Sequence, residues 1–302
     1  MSLPIQTIPS HRIDQKKWNN CIAQSSNGFI YATTLYLNNI TDHWDGLVID
    51  DYTAVIPLPW RKKYGIKYLY TPPFIQQLGL IGKWNETTVS AVMQHVQAFA
   101  SFGDYQFNYS NQFIKETTTH HNYILDLSVG YEAITKKYKT DLLQNLKKAT
   151  ATNLVYATDS SAAAAIAYYQ KHYAHRTAHV GNNDYQNFLQ LCLALQKNNQ
   201  CIVRKATNTN GKILAIALLL KDERRIYNML NTTTDEGRKT EANHFLMDQI
   251  IREFAGNTIL FDFEGSDIDG VRNFYEKFGA IDQPYFHWHH NQLPFPLNLF
   301  KR

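Results

Sequence analysis

Two carboxylic acids stand two residues apart at the end of an apolar run. Asp262 and Glu264 alternate with two phenylalanines and precede the pair Gly265-Ser266. Alternate side chains of a strand project to opposite faces, which predicts both carboxyls on one side of the strand. Two carboxyls at the carboxyl end of a strand could bind an amine or accept its proton. They could equally have a structural role and bind backbone N–H groups near the next helix.

A second polar stretch, residues 231–240, reads Asn-Thr-Thr-Thr-Asp-Glu-Gly-Arg-Lys-Thr and leads directly into a predicted helix. The N–H groups at the start of a helix and the positive end of its dipole can bind a phosphate. Arg238 and Lys239 would add positive charge there. The stretch lacks the spacing of a P-loop or of a dinucleotide fingerprint. A phosphate site and an ordinary exposed loop are therefore both open interpretations.

The histidines and cysteines do not form a recognisable metal site or nucleophile motif. His172, His175 and His179 would lie near one face of a helix, but the sequence places no carboxylate ligand close to them. The three cysteines are widely spaced and form no Cys-x-x-Cys pair, so neither a disulfide framework nor a cysteine zinc site is expected. No nucleophile-elbow pattern marks a Ser-His-Asp catalyst. We expect no bound metal.

The elements that must position these residues follow the same order in both halves of the chain. Each half shows three strands, one amphipathic helix (86–101 or 241–254) and further strands. A meander followed by a β-α-β unit predicts an α/β fold with mixed sheets. In such sheets ligands bind at the carboxyl ends of strands, where the pairing direction changes. In the second half that place is the end of strands 225–230 and 259–263.

Size and composition favour a two-domain protein. The chain has 302 residues, of which 44% are hydrophobic. A chain of this length is longer than a single hydrophobic core usually accommodates. Its 30 basic and 26 acidic residues give a net charge of +4, which permits an anionic ligand but is far from a strongly basic nucleic-acid-binding surface. The N-terminus lacks a signal-peptide pattern, and the longest apolar run, 213–220, is too short for membrane insertion. We expect a cytoplasmic protein.

Several stretches together resemble a known family. The helix-and-turn sequence Tyr275-Glu276-Lys277-Phe278-Gly279-Ala280 resembles a signature of GNAT-type (acyl-CoA N-acyltransferase) proteins. The longer pattern resembles the FemAB-like branch of that superfamily, in which two GNAT-like domains share one chain. The other stretches that carry this resemblance are 56–59 with 70–79, 122–127 with 143–149, 211–215, and 261–266. Their order and spacing agree with the family over residues 29 to 286.

The resemblance implies a fold, a domain division and a reaction. It implies tandem GNAT-like domains, which we place at 1–125 and 126–290, with an apolar tail at 291–302 packing back on the body. The implied reaction moves an acyl group from an acyl-CoA thioester to an amine. Backbone N–H groups around Met229, Leu230 and Asn231 would then hold the donor carbonyl.

Further roles follow from the same resemblance. Arg238, Lys239 and the main chain up to Asn243 would hold the donor phosphates. Glu264, or Asp262 if it faces the cleft, would take a proton from the ammonium, and Tyr275 would protonate the leaving group. The wall on the acceptor side would include the two residues Tyr70 and Gln77. Tyr275 could instead be a packing residue of its helix.

The donor is the least determined part of this prediction. The GNAT pyrophosphate signature is reduced to Gly237-Arg238-Lys239-Thr240-Glu241-Ala242, and Ile268 stands where the family usually has asparagine. Members of the FemAB branch use aminoacyl-tRNA and act on a cell-wall precursor, so tRNA as donor and a peptidoglycan-precursor amine as acceptor are alternatives to acyl-CoA and a small-molecule amine. A binding module that kept the fold and lost the chemistry is a third possibility.

Overall fold

A computed structural model describes residues 4–159, 161–176, 180–265 and 267–299. His179 and Ser266, which the sequence motifs include, lie outside the described residues. The chain divides into two compact units. The first joins the residues up to His120 with those from Pro284 onward, and the second runs from His121 to Gln283.

The strands are β1 (Ile5–Pro9), β2 (His43–Ile49), β3 (Ala54–Lys63), β4 (Ile66–Tyr70), β5 (Ile81–Gly82), β6 (Phe102–Phe107), β7 (Thr117–His120), β8 (Tyr123–Asp126), β9 (Val155–Asp159), β10 (Cys201–Thr207), β11 (Ile213–Lys221), β12 (Arg225–Thr233), β13 (Leu260–Asp262), β14 (Ile281–Asp282) and β15 (Tyr285–Asn291). The α-helices are α1 (Gln15–Gln24), α2 (Thr34–Ile40), α3 (Glu86–Phe99), α4 (Tyr131–Thr135), α5 (Thr140–Thr150), α6 (Ala162–Tyr173), α7 (Asn182–Gln196), α8 (Asp235–Lys239), α9 (Ala242–Phe254) and α10 (Asp269–Glu276).

The first unit is built on a mixed sheet with the strand order β1-β2-β3-β4-β6-β15-β7, and β5 pairs with β3. Strands β2, β3 and β4 form an antiparallel meander, and β4 then pairs in parallel with β6. Helix α3 connects these two strands, as a parallel crossover requires. Asn85 begins α3, because its side chain accepts the N–H of Thr88 at 3.0 Å.

The second unit repeats this arrangement in a sheet with the order β14-β8-β13-β12-β11-β10-β9. Strands β10, β11 and β12 form the antiparallel meander, and β12 pairs in parallel with β13. Helix α9 makes the crossover. Its apolar face, with Leu246, Met247, Ile250 and Ile251 completely buried, belongs to the core of this unit. The prediction of mixed sheets in both halves of the chain is confirmed.

Strands β8 and β15 do not belong to the sheets that their positions in the sequence suggested. Strand β8 pairs with β13 in the second sheet, and β15 pairs with β6 and β7 in the first. The units therefore differ from the predicted ranges 1–125 and 126–290. The apolar pattern of a strand specifies its buried face but not its partner, so each strand could be recognised without its sheet being known.

The described part of the tail is hydrogen-bonded at its start and contains exposed apolar side chains. The N–H of Gln292 donates to the carbonyl of Ser101 at 2.8 Å, and the side chain of Asn291 donates to the carbonyl of Asn298. The side chain of Phe295 is 81% exposed. The predicted tail continues to residue 302, and its last three residues lie outside the described part. No helix within the described ranges is long and apolar enough to cross a membrane.

Candidate functional site

The second unit contains a cavity of about 410 Å³ where its parallel strands separate. Strand β12 pairs with β13 only from Arg225 to Tyr227, although β12 continues to Thr233. The chain after β13 turns away, so within the described residues no strand pairs with the last part of β12 on this side. The separation opens the sheet at the carboxyl end of β13 and along the second half of β12.

A β-bulge shapes the wall of this cavity on β12. Leu218 of β11 pairs with Leu230, and Leu220 pairs with Tyr227, so β12 contains one extra residue between these pairs. Residues 229, 231 and 233 share one face by ordinary alternation. Asn228 would belong to the opposite face, yet it lines the same cavity as Met229 and Asn231. The bulge therefore brings a further polar side chain to the site.

Glu264 lies in the cavity wall just beyond β13. Its backbone is left-handed, with φ +63°, and its N–H donates to Asp262 Oδ1 at 3.0 Å. A non-glycine residue with this φ is strained, and such strain is concentrated at functional sites. Burial raises the pKa of the Glu264 carboxyl to about 8. A carboxyl of this pKa exchanges protons near neutral pH, which suits a general base.

Asp262 has a different environment from Glu264, contrary to the expectation that both carboxyls share one face. The strand ends at Asp262, so alternation does not extend to Glu264. Asp262 is 1% exposed and forms an ion pair with the buried Arg225, whose Nη1 donates to Oδ2 at 2.6 Å. Arg225 also donates to Gln283 at 2.8 Å. Both oxygens of Asp262 thus have donors within the protein, and Asp262 does not line the cavity.

Tyr275 reaches the cavity from α10. Its ring packs against Phe263 at 4.7 Å and Phe274 at 5.9 Å between centroids. Burial, followed by the charges of Glu264 and Asp262, raises the pKa of the Tyr275 hydroxyl, so the hydroxyl keeps its proton at neutral pH. The ring is thus part of a packed aromatic cluster, and the residue also lines the cavity together with Glu264.

A smaller cavity of about 240 Å³ adjoins the first and shares Tyr173, Thr233, Asn243 and Phe274 with it. Arg238 lines it, and residues 235–239 form the short helix α8 instead of the expected loop. The guanidinium of Arg238 donates to Tyr173 Oη and to the carbonyl of Thr233, each at 3.1 Å. Lys239 is exposed and does not line either cavity.

The charges of the smaller cavity nearly balance. The carboxylate of Glu241 contacts Nδ1 of His244 at 2.9 Å, and both residues line the cavity with Arg238. Burial lowers the pKa of the His244 imidazole, so this histidine is neutral at pH 7. Arg238 and Glu241 then contribute opposite charges, which makes the electrostatic attraction of this cavity for a pyrophosphate weak.

Gly237 fixes the position of α8 beside these residues. A Cβ atom at Gly237 would lie 2.2 Å from the carbonyl oxygen of Leu214 on β11, which no side chain tolerates. The Thr234 side chain begins the helix by accepting the N–H of Gly237 at 3.0 Å. The sequence predicted a polar loop around this glycine, and the structure shows a close approach of two backbones there.

The two residues expected on the acceptor side belong to the first unit. Gln77 is completely buried there, and its amide donates to Gln76 and accepts the N–H of Tyr109 at 3.1 Å. Tyr70 is 9% exposed, and the guanidinium of Arg61 lies 4.6 Å from the centre of its ring. Burial raises the pKa of Tyr70 to about 12. Their contact with a substrate stays a prediction.

Several residues of the site were not anticipated from the sequence. Tyr169 and Tyr173 on α6 line the larger cavity, as does Asn228. The two tyrosines have an i, i+4 spacing, which places them on one face of α6 but does not distinguish a cavity wall from a core. Of the predicted residues, Leu230 is buried and outside the cavity lining, whereas Asn243 lines both cavities. The described residues contain no group of histidine, cysteine and acidic side chains that could hold a metal ion.

Comparisons with known proteins agree with this architecture. Residues 136–274 match the family described as acetyltransferase (GNAT) domain. No curated protein matches the chain by sequence. The crystal structure of FemX is similar over 98% of this chain and 99% of its own, with a TM-score of 0.68 and 12% identity.

Two further structures cover nearly the whole chain. A tandem GNAT protein from the clavulanic acid biosynthesis pathway matches 96% of this chain and 99% of its own, with a TM-score of 0.54 and 9% identity. The C-terminal domain of a protein from Agrobacterium fabrum, assigned as a lysylphosphatidylglycerol synthetase, matches 95% of this chain and 94% of its own, with a TM-score of 0.55 and 14% identity. Residues 136–274 of this chain therefore match a GNAT domain, and the whole chain shares its fold with FemX and with a tandem GNAT protein.

Proposed function

We propose that this protein is an acyltransferase that moves an acyl or aminoacyl group onto an amine at the larger cavity of the second unit. The observation that carries the proposal is the presence of Glu264, with its pKa near 8, and Tyr275 in one wall of a cavity at the separated strands β12 and β13. A proton acceptor and a proton donor beside an opened strand edge are the groups that this reaction requires.

The proposed steps balance in protons and bonds. The Glu264 carboxylate removes a proton from the incoming ammonium, and the neutral amine attacks the carbonyl carbon of the donor. A C–N bond forms, and the bond from the carbonyl carbon to the leaving sulfur or oxygen breaks. Tyr275 protonates the leaving group, and the attacking nitrogen gives its second proton to the tyrosinate directly or through water. Glu264 then releases the first proton to solvent. Backbone N–H groups of β12 around Met229–Asn231 would stabilise the oxyanion.

We propose an acyl-CoA thioester as the preferred donor. The match of residues 136–274 to a GNAT acetyltransferase domain supports it, and Arg238 with the N-terminal turn of α9 at Asn243 is the site for its phosphates. The balanced charges of the smaller cavity count against the pyrophosphate of coenzyme A, and the alternative is an aminoacyl-tRNA donor with a peptidoglycan-precursor amine as acceptor. A thermal-shift screen with acetyl-CoA, longer acyl-CoAs and tRNA separates them, because a ligand that binds only the native state raises the melting temperature.

The Tyr275→Phe variant tests the proton donor. Only the hydroxyl is lost, and the ring keeps its packing against Phe263, so we expect kcat to fall at least tenfold with little change in melting temperature. Steady-state kinetics and thermal unfolding measure the two effects. Tyr123, whose ring lies 6.1 Å from that of Tyr275 and which does not line the cavity, provides the matched control Tyr123→Phe. Normal turnover with a lowered melting temperature would assign Tyr275 to packing alone.

Charge reversal at Arg238 and Lys239 tests the phosphate site. If both cations contact the donor phosphates, the double variant Arg238→Glu, Lys239→Glu should bind coenzyme A at least ten times more weakly, a change of about 1.4 kcal/mol. Isothermal titration calorimetry with coenzyme A gives the dissociation constant. The single variant Lys239→Glu separates the exposed lysine from the arginine of the cavity. An unchanged affinity would place the phosphates elsewhere and strengthen the case for a binding module without chemistry.

A further inference from the structure

Two residues that line the larger cavity carry polar atoms without a hydrogen-bond partner in the protein. Asn228 is only 4% exposed, and its Oδ1 is buried without a hydrogen-bond partner. Asn243 Oδ1 is likewise buried and unpaired, and both asparagines line the cavity. A buried amide oxygen without a donor destabilises a protein by about 1–3 kcal/mol, so such groups in native proteins call for an explanation.

The structure also shows why Asn228 is at this place. The bulge in β12 turns this residue into the wall that Met229 and Asn231 already occupy. An apolar residue at position 228 would avoid the unpaired oxygen, so this oxygen does not favour folding. A partner from outside the protein would account for its presence, and the carboxamide can reach such a partner by turning about its last side-chain bond.

The remaining lining indicates the charge of that partner. Among the described residues that line the cavity, Glu264 is the acidic one, and five carry aromatic rings: Tyr169, Tyr173, Phe263, Phe274 and Tyr275. Among the described residues that line this cavity there is no lysine, arginine or histidine. Aromatic faces attract cations, and so does the Glu264 carboxyl once it is ionised, whereas both disfavour carboxylate or phosphate groups. Amide oxygens accept hydrogen bonds from N–H donors, of which a primary ammonium has three.

We propose that Asn228 and Asn243 are specificity-determining residues that bind the N–H groups of a primary ammonium in this cavity. The inference rests on the proposed function and deepens it, because it selects protonated primary amines as the ligand class and excludes acids and quaternary cations. The ammonium enters charged, the two amide oxygens orient it, and Glu264 takes its proton.

Binding of simple cations tests this assignment without any donor or turnover. Ethylammonium chloride should bind the protein in calorimetric titration at constant ionic strength. Tetramethylammonium chloride has the same charge but no N–H group, and sodium propionate has the opposite charge, and both should bind at least ten times more weakly. Equal binding of ethylammonium and tetramethylammonium would overturn the role of the amide oxygens, and preferred binding of propionate would overturn the ligand class.

Variants with side chains of similar size then test whether the two asparagines are responsible for ethylammonium binding. Asn228→Leu and Asn243→Leu should each weaken ethylammonium binding about tenfold, while their melting temperatures stay equal or rise because an unpaired buried oxygen has been removed. Asn210→Leu, in an exposed turn of the same unit, is the control and should bind as the unaltered protein does. A lowered melting temperature with unchanged binding would show that the asparagines are structural.

The binding experiments test the specificity assignment independently of the proposed acyl transfer. If the leucine variants bind ethylammonium normally and the protein still transfers acyl groups, the specificity assignment fails and the acyltransferase stands. If the variants lose ethylammonium but no donor is ever turned over, the ammonium site stands and the transfer chemistry fails.

Discussion

Replacing Glu264 by glutamine is expected to lower kcat/KM for an amine acceptor by about 10²- to 10⁴-fold, the range for loss of a general base. Glutamine keeps the length and the hydrogen-bonding oxygen but cannot accept the ammonium proton. The backbone N–H of residue 264 would still donate to Asp262, so the local chain should stay in place. Steady-state kinetics with saturating donor measures the effect, and a loss of less than tenfold would remove Glu264 from the proton transfer.

The pH dependence provides an independent check on Glu264. The base acts as a carboxylate, so kcat/KM should rise with pH until the pKa of about 8 is passed, and Glu264→Gln should lose this rise. The folded-state pKa lies above the value of about 4.3 for an unfolded glutamate. The folded protein therefore binds more protons than the unfolded chain between these values, and the contribution of Glu264 to stability falls as pH increases from about 4.3 to 8. Above that range Glu264→Gln should melt at a higher temperature than the unaltered protein.

The variant Asp262→Asn should lower the free energy of unfolding of the second unit by about 3–5 kcal/mol, because it leaves the buried charge of Arg225 without its counter-ion. Arg225 is 4% exposed and Asp262 1% exposed, so water cannot replace the missing partner. Urea denaturation followed by circular dichroism measures the loss. The Glu236→Gln variant is the control, since the Lys212–Glu236 ion pair is exposed and its loss should change stability by about 0–1 kcal/mol.

A second substitution separates the ion pair from packing. Asp262→Leu combined with Arg225→Met removes both charges and should recover much of the stability lost in Asp262→Asn, since apolar replacement of a buried pair is often neutral or better. Equal destabilisation of Asp262→Asn and Glu236→Gln would show that the ion pair does not support the fold. Asp262 also accepts the N–H of Glu264, so this pair holds the proposed base in position.

The order of elements was predictable from the sequence because it depends on local patterns. The predicted helices 86–101 and 241–254 correspond to α3 and α9, whose apolar residues recur at helical spacing. The meander before α9 was recognisable from short apolar runs separated by turn residues, such as those around Gly211. Together with the resemblance to the FemAB-like branch, these patterns were enough to predict two mixed sheets.

The catalytic candidates were predictable in part. Glu264, Tyr275, Met229, Asn231 and Asn243 line one cavity, which follows from their positions at strand ends and on the helices beside them. Strand alternation failed for the carboxyl pair, because the strand ends at Asp262 and the chain then turns into a left-handed conformation. No local sequence pattern predicts that change in chain direction after Asp262.

The sequence by itself determined the main helices and strands, such as α3, α9 and the meander before α9, and the presence of a carboxyl and a tyrosine near a polar strand end of the second half. Only the tertiary structure decided which sheet β8 and β15 join, because apolar alternation marks a buried face and not a neighbour. It also decided which carboxyl is neutralised by Arg225 and which lies in the cavity. Ion pairing and burial depend on residues as distant as 225 and 262, and no local pattern contains that information.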